Sequence, residues 1–327
     1  MNRKEFLQNT GKLGLALSFA PITGPLDKIY NMIQEKEVAK PPFFKFSLAQ
    51  WSLNRAILET KTLQPLDFPK KARELGFDAV EYVSQLYVQE KLSSASFESL
   101  IKELNKRSKD QGIENVIMMV DNEGELAAPT KAHRDQAIEN HRKWIDAAAE
   151  LGCHSIRVNL FGEGTEHDFS IWKETASDGL GRLAQYAAKS NMNVIVENHG
   201  GMTSDAAKLV EVIKMIDLKN CGTLPDFGNF CTKREGGERW LTPCIEEYDR
   251  YKGVAEMMPF AKGVSAKSYD FDTKGNETKI DYKKMLEIVK DAGYTGRIGV
   301  EYEGTTLDEE EGIRLTKALL LNAASQI

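Results

Sequence analysis

The chain has 327 residues, of which 41% are hydrophobic and 28% charged, with a mean hydropathy of -0.42. These values are typical of a globular protein. A net charge of -6 and a pI near 5.6 give no basic surface for nucleic acid or for an anionic membrane. No apolar run approaches the ~18 residues of a transmembrane helix, so none is predicted.

The N-terminal segment, residues 1–40, is predicted to be an export signal and linker, separate from a catalytic domain at 41–327. A basic pair and Phe-Leu at 3–7 precede a short, mildly apolar stretch, which resembles a twin-arginine export signal. The pattern departs in having Arg-Lys instead of Arg-Arg, and Pro21 disfavours cleavage after Ala20. We expect an exported, periplasmic protein that begins after about Ala20; the alternative is a cytoplasmic protein that keeps an amphipathic N-terminal helix.

From residue 41 onward one unit repeats: a short β-rich run, a loop, and a polar helix that often ends in glycine. A glycine there adopts the left-handed conformation that ends a helix. The last helix is predicted over 309–324. The predicted strands are 44–51, 77–83, 113–120, 153–161, 193–197, 221–226, 261–267 and 296–301.

These eight alternating units predict a single-domain α/β fold, a (β/α)8 TIM barrel. The alternative is a doubly wound open sheet, which usually has fewer strands and a glycine-rich phosphate loop after the first. Neither GxGxxG nor GxxxxGK[ST] occurs in the chain. The barrel is therefore the favoured fold.

The four cysteines have no CxxC spacing and lie on what look like separate elements. A disulfide framework is unusual in a chain this large, and a cysteine zinc site needs closer pairs. We interpret Cys153, Cys221, Cys231 and Cys244 as structural or incidental.

Acidic residues recur at the carboxyl ends of the predicted strands, where TIM barrels carry their active sites. Glu197, Asp226 and Glu301 end three strands, and the alternation of strand residues points Glu197 and Glu301 inward. Such carboxylates would repel one another unless a cation neutralises them. Oxygen ligands favour Mg²⁺ or Mn²⁺, with Zn²⁺ or Co²⁺ as alternatives. The competing interpretation is ion pairing with Arg157 and Lys267.

Other residues at strand ends are predicted to contact the substrate. His199 is the one histidine that closes a predicted strand, and it either completes a metal coordination shell or binds substrate, as does Asn229. Trp51 is equally suited to simple packing. The predicted substrate-binding residues are His199, Asn229, Glu81, Trp51 and Asn159.

Three segments, VIVENHG at 194–200, LPDFGN at 224–229 and GVEYEG at 299–304, resemble the xylose isomerase-like barrel superfamily. Within it, the chain is most similar to the sugar phosphate isomerases/epimerases, over roughly residues 44–324. The resemblance implies that Glu, Asp, His and Glu at strand ends hold one divalent metal, and that the two Glu flank the carbon that loses its proton. By motif these are Glu197, Asp226 and Glu301, without the His.

The chain departs from this pattern at two positions. The metal-binding His of the family falls on Lys267, and a protonated lysine cannot ligate a metal. The substrate-contacting His falls on Asn229. We expect Lys267 to be a charged group beside the metal that contacts a substrate oxygen.

The sequence therefore predicts a metal-assisted sugar isomerase or epimerase that removes the proton α to a carbonyl, with Glu197, Glu301 and Lys267 as catalytic residues. The metal, Lys267 or both would stabilise the enediolate. The alternatives are a keto-glycoside lyase or hydratase, a Schiff-base lyase using Lys267, and a non-catalytic sugar-binding barrel. The superfamily's nuclease branch needs a histidine-rich zinc site, which five histidines and an acidic chain disfavour. The expected partner is a small carbohydrate, not nucleic acid, and a homo-oligomer is left open.

Overall fold

The computed structural model describes residues 41–87, 93–162 and 168–327. The predicted export segment lies outside these residues, so the export prediction and the boundary near residue 40 stay predictions. The strands are β1 (Lys45–Ala49), β2 (Ala79–Val83), β3 (Glu114–Val120), β4 (Ser155–Val158), β5 (Asn193–Glu197), β6 (Cys221–Leu224), β7 (Cys231–Arg234), β8 (Cys244–Glu247), β9 (Val264–Ser268) and β10 (Arg297–Tyr302).

Eight of these strands form one parallel sheet in the order β6-β5-β4-β3-β2-β1-β10-β9. Two parallel bridges, Thr223 to Ala261 and Asp226 to Ser265, join the β6 edge of the sheet to its β9 edge. The sheet therefore curls back on itself, and the predicted (β/α)8 barrel is confirmed. The eight predicted strands are all present, and several of them are one to five residues shorter than predicted.

The helices cover the outside of this sheet. They are α1 (Asn54–Leu58), α2 (Phe68–Glu74), α3 (Ser94–Asp110), α4 (Lys131–Leu151), α5 (Phe169–Ala187), α6 (Ala206–Ile216), α7 (Arg250–Met257), α8 (Tyr282–Asp291) and α9 (Glu309–Ala324). No helix in these parts of the chain is long and apolar enough to cross a membrane.

Local chemistry sets where the helices begin and end. Helices α3 to α9 each begin after a side chain that accepts a backbone N–H of the first turn, which satisfies a donor that has no partner within the helix. At the other end of α4, Gly152 has φ 81°, the left-handed cap that the sequence predicts. The capping residues are Ser93, Thr130, Asp168, Asp205, Asp249, Asp281 and Asp308.

The strands β7 and β8 form an antiparallel hairpin outside the barrel that is not predicted from the sequence. Cys231 and Cys244 form a disulfide across it. The interpretation of these two cysteines as lying on separate, unconnected elements is therefore wrong, because the hairpin brings residues 13 apart in sequence together. Cys153 and Cys221 are buried and unpaired, as expected of structural cysteines.

Candidate active site

The three predicted carboxylates converge at the carboxyl end of the barrel. Glu197 is the last residue of β5, Asp226 follows β6, and Glu301 lies in β10. Each offers an oxygen, and these oxygens all lie within 4.8 Å of one another. The three residues are 2%, 0% and 4% exposed. Three carboxyl groups are thus gathered out of water, which is unfavourable unless positive charge or protons accompany them.

Asp226 is held rigidly at the centre of this cluster. Its Oδ1 accepts hydrogen bonds from the backbone N–H groups of Gly228 and Asn229, both at 2.8 Å. Its Oδ2 lies 2.6 Å from Ser265 Oγ, which also lies 2.8 Å from Glu301 Oε2. One hydroxyl proton cannot serve two carboxylates, so this arrangement calls for a further proton or a cation. Burial raises the pKa of Asp226, and the charges of Glu197 and Glu301 add to the rise while Lys267 opposes it.

Lys267 lies against the same cluster. The parallel register pairs it with Glu301, and its Nζ is 3.3 Å from Glu301 Oε1, 3.9 Å from Asp226 Oδ2 and 2.9 Å from Glu303 Oε1. Burial alone would lower the pKa of Lys267, but these carboxylates raise it well above its ordinary value. The residue is 1% exposed. Lys267 is therefore a buried, charged ammonium that cannot act as a metal ligand.

Arg157 supplies the second cation of the cluster. Its Nε lies 3.0 Å from Glu197 Oε2, and its Nη1 donates to Asp121 Oδ1 at 2.8 Å. The other oxygen of Glu197 accepts from Asn229 Nδ2 at 2.9 Å. Although burial opposes it, the charges of Asp121 and Glu197 raise the pKa of Arg157. Two permanent cations thus face five carboxyl groups within 4 Å, an excess of three negative charges when all are ionised.

This cluster fits a divalent cation. Ligands on one ion at ~2.0–2.6 Å lie roughly 3–5 Å apart, which is the spacing of the three carboxylate oxygens. The donor set is all oxygen, the preference of Mg²⁺ and Mn²⁺. The excess negative charge also favours a cation. So does the Ser265 hydroxyl, which lies between two carboxylates and has only one proton to share. Glu197, Asp226 and Glu301 are therefore the residues that could hold a metal, with Lys267 beside it.

A cavity of about 700 Å³ opens above the cluster. Six of the nine predicted site residues line it: Trp51, Asn159, Glu197, His199, Asn229 and Glu301. Asp226 and Lys267 lie behind this wall, and Glu301 and Glu303 separate the lysine from the cavity. Glu197 and Glu301 are thus the members of the carboxylate trio that a bound molecule can reach.

Glu81, which the sequence predicts to bind substrate, lies beneath the cavity instead. Its carboxylate is 1% exposed, accepts a hydrogen bond from Ser47 Oγ at 2.6 Å, and leaves Oε2 without a hydrogen-bond partner. A Cβ on Gly299 would lie 2.7 Å from this carboxylate, so only glycine fits there. Burial raises the pKa of Glu81 to about 7, and the charges of Glu301 and Glu197 contribute.

His199 is held as a neutral imidazole in the cavity wall. Its Nδ1 lies 2.7 Å from Asn159 Oδ1, and Asn159 Nδ2 donates to Asp121 at 2.7 Å. The amide oxygen can only accept, so this contact assigns the imidazole proton to Nδ1 and leaves Nε2 as an acceptor. Burial lowers the pKa of His199 to about 4, helped by the charges of Arg157 and Lys267.

Among the residues of the cavity wall that were not predicted from the sequence are Asp121, Tyr269 and Trp240. Asp121 follows the apolar strand β3, so the strand-end rule that found Glu197 could also have found it. Tyr269 lies two residues after Lys267, in the same inward phase. Trp240 lies between the hairpin strands, 4.7 Å from the His199 ring, in a polar segment that carries no signal of its position.

The fold and this acidic cluster define a TIM barrel with buried carboxylates at the carboxyl ends of its strands. The chain belongs to the xylose isomerase-like TIM barrel family, whose model matches residues 69–322. The resemblance stated from the three sequence segments is therefore confirmed.

Individual relatives are more distant. The inosose dehydratase of Geobacillus thermodenitrificans (strain NG80-2) is 27% identical over 197 residues, which cover 55% of this chain and 63% of that protein. The match thus spans less than two thirds of the relative's length.

Solved structures share the fold. The 3-keto-D-glucoside 4-epimerase from E. coli superposes with a TM-score of 0.63 at 18% identity, over 85% of this chain and 98% of that one. A xylose isomerase-like TIM barrel protein from Mycobacterium smegmatis, in complex with magnesium, superposes with a TM-score of 0.60 at 16% identity. The match covers 87% of this chain and 98% of that one.

Proposed function

We propose that this protein isomerises or epimerises a keto-sugar by removing the proton α to the carbonyl group. The observation that carries the proposal is the pair Glu197 and Glu301, which line one cavity while Asp226 holds the centre of their cluster from behind. The named relatives, an inosose dehydratase and a 3-keto-D-glucoside 4-epimerase, support a carbohydrate substrate.

In this reaction one glutamate takes the proton from the α-carbon. The C–H electron pair forms a carbon–carbon double bond while the carbonyl π electrons move to the oxygen, which gives an enediolate. Return of a proton to the α-carbon from the opposite face gives the epimer. Return of a proton to the former carbonyl carbon gives the isomer, provided that the proton of the hydroxyl on the α-carbon moves to the former carbonyl oxygen. Glu197 and Glu301 are the proposed bases, because both reach the cavity. Asn229 and Arg157 orient Glu197, and Ser265 and Lys267 orient Glu301.

A carbon acid of this kind is too weak for an unassisted carboxylate, so the negative charge on oxygen must be stabilised. A divalent metal held by Glu197, Asp226 and Glu301 would polarise the carbonyl. Lys267 contributes a fixed positive charge behind Glu301. His199 Nε2 and the Asn159 side chain offer hydrogen bonds to the sugar hydroxyls. Trp51 offers an aromatic face for the sugar ring.

A second candidate is elimination, in which the same enediolate expels a substituent on the next carbon. The relative named inosose dehydratase favours this reaction class. The two reactions share their first step and differ in the product. Elimination gives an unsaturated ketone that absorbs in the ultraviolet and releases the substituent, whereas epimerisation gives neither.

We further propose that the protein works outside the cytoplasm. The disulfide between Cys231 and Cys244 supports this, because such bonds persist in oxidising compartments. The twin-arginine-like segment agrees with it. Mass spectrometry of the native protein tests the proposal, and an intact segment 3–18 in the cytosolic fraction contradicts it.

The enzymatic proposal is tested by incubating the protein in D2O with D-fructose, L-ribulose and the methyl glycoside of 3-keto-glucose, with and without Mn²⁺. Proton NMR should show deuterium entering at a carbon α to the carbonyl of at least one sugar. Binding of a sugar by calorimetry without any exchange would support a non-catalytic sugar-binding barrel instead.

A further inference from the structure

A second cavity, of about 960 Å³, adjoins the first. Five residues line both: Glu125, Phe161, Arg234, Arg239 and Trp240. Most of the remaining wall of the second cavity comes from the β7–β8 hairpin and from the loop after β5. The two cavities therefore meet along one shared wall, next to His199.

Trp240 is the most exposed aromatic residue of that shared wall, at 45% exposure. Its ring lies 4.7 Å from the His199 ring and 5.7 Å from the Phe161 ring, between centroids. On the other side, the Arg239 guanidinium lies 4.1 Å from the Phe161 centroid. The Cys231–Cys244 disulfide ties both ends of the segment that carries Trp240. The tryptophan is thus an anchored aromatic face at the passage from one cavity to the other.

The charges of the second cavity are largely paired within the protein. Arg234 donates to the backbone oxygen of Thr242 at 2.7 Å, so its Nη1 is engaged as well. A phosphate site needs cations that converge on a shared point, and here they are spread over separate partners. The pairs are Lys208 with Asp205 at 3.1 Å, Lys233 with Glu246 at 3.1 Å and Arg239 with Glu125 at 3.0 Å.

We propose that the second cavity is a subsite for the second sugar ring of a keto-glycoside, with Trp240 stacking against that ring. This inference rests on the proposed function and narrows its substrate to a neutral glycoside, instead of a free keto-sugar or a sugar phosphate. Each cavity alone falls in the range of roughly 300–1,000 Å³ that holds a drug-sized ligand. A monosaccharide would fill one cavity and leave the other, with its aromatic wall and paired charges, unused.

The test compares two unoxidised sugars, methyl glucoside and the methyl glycoside of a glucose disaccharide. Their anomeric carbons are blocked, so neither can form a carbonyl and both bind without reacting. Calorimetry should give a dissociation constant for the disaccharide about tenfold lower, because stacking on a tryptophan is worth on the order of one factor of ten. Trp240→Ala should reduce the ratio of the two constants to near one, and Trp240→Phe should retain most of the preference.

Leu241→Ala is the matched control, because Leu241 is 92% exposed and lines neither cavity. That variant should keep the full preference for the disaccharide. Equal binding of the two sugars by the wild type, a preference that survives Trp240→Ala, or tighter binding of glucose 6-phosphate than of the disaccharide would each overturn the inference. Neither neutral sugar reacts, so the binding test does not depend on catalysis. If the protein prefers the disaccharide but does not turn over any keto-sugar, the proposed function is contradicted and the proposed subsite is not.

Discussion

Lys267 Nζ lies 3.3 Å from Glu301 Oε1, across adjacent strands and out of contact with solvent. The parallel pairing of β9 with β10 sets this distance, because it puts the two residues side by side. The ammonium neutralises part of the acidic cluster at the position where the family resemblance expects a metal-binding histidine. The cluster thus has a permanent internal cation and room for one divalent ion among three carboxylates.

The first prediction concerns that ion. The wild-type protein should bind one Mn²⁺ saturably, and Asp226→Asn should weaken binding by roughly 100-fold or more, because loss of even an outer partner of a metal ligand costs ~10–100-fold. Titration by electron paramagnetic resonance measures both constants. Glu123→Gln, which changes a cavity carboxylate outside the trio, is the control and should bind as the wild type does. If the wild type does not bind Mn²⁺ saturably, protons and not a divalent ion balance the negative charge that Lys267 and Arg157 leave over.

The second prediction concerns the proposed base. Glu301→Gln keeps the shape of the side chain but removes its ability to take a proton, so turnover of a keto-sugar should fall by ~10²-fold or more. Glu303→Gln removes a charge that also lies beside Lys267, and should cost less. The rate of deuterium entry at the α-carbon compares the two variants. An unchanged exchange rate in Glu301→Gln would exclude Glu301 as an essential base.

The barrel could be predicted from the sequence because its strands are apolar, short and bounded by glycine-ended helices. The carboxylate trio followed from the same pattern, since parallel strands end at one edge of the barrel. The alternation of strand residues points Glu197 and Glu301 inward, and both line the cavity. The alternation does not specify how deep a residue lies along the barrel axis. It therefore could not predict that Glu81 lies beneath the cavity and Lys267 behind its wall.

The hairpin and Trp240 could not be predicted in the same way. The strands β7 and β8 are short and contain no buried residue, and they carry mixed polar residues without the alternation of a half-buried strand. Their position depends on tertiary contacts, such as the backbone hydrogen bond from Tyr248 N–H to Phe230 C=O and the disulfide. Nothing local in the sequence specifies such contacts.

The third prediction concerns stability at low pH. Burial lowers the pKa of His141, whose Nδ1–H donates to the Ala137 backbone oxygen at 2.7 Å within α4. Below the unfolded pKa of about 6.5, His141 binds a proton in the unfolded chain but stays neutral in the folded chain. The free energy of unfolding should therefore decrease as the pH is lowered. One proton contributes at most ~1.4 kcal/mol per pH unit to the slope of the free energy of unfolding against pH.

Denaturant unfolding of the wild type and of His141→Gln between pH 7 and pH 5 measures this contribution. Glutamine does not titrate, so the variant should lose stability less steeply over that window, whatever its stability at pH 7. Parallel curves for the two proteins would show that His141 takes up its proton equally in the folded and unfolded states.

The last prediction concerns the role of Lys267. Three carboxylates lie within 4 Å of its ammonium and raise its pKa, whereas a lysine that forms a Schiff base needs a depressed pKa. We therefore expect an electrostatic role exerted through Glu301. Lys267→Met removes the charge at similar length and Lys267→Arg keeps it, so Met should cause the larger loss of kcat.

Borohydride treatment in the presence of the methyl glycoside of 3-keto-glucose separates this role from covalent catalysis. Borohydride reduces an imine to a stable amine, so a Schiff base at Lys267 would be trapped with the mass of the sugar added. We expect no added mass at Lys267 and no irreversible loss of activity once reductant and reduced sugar are removed. The trapped amine forms only if Lys267 attacks the carbonyl carbon. Inactivation with a sugar-sized adduct on Lys267 would therefore contradict the electrostatic role and indicate a covalent lyase mechanism.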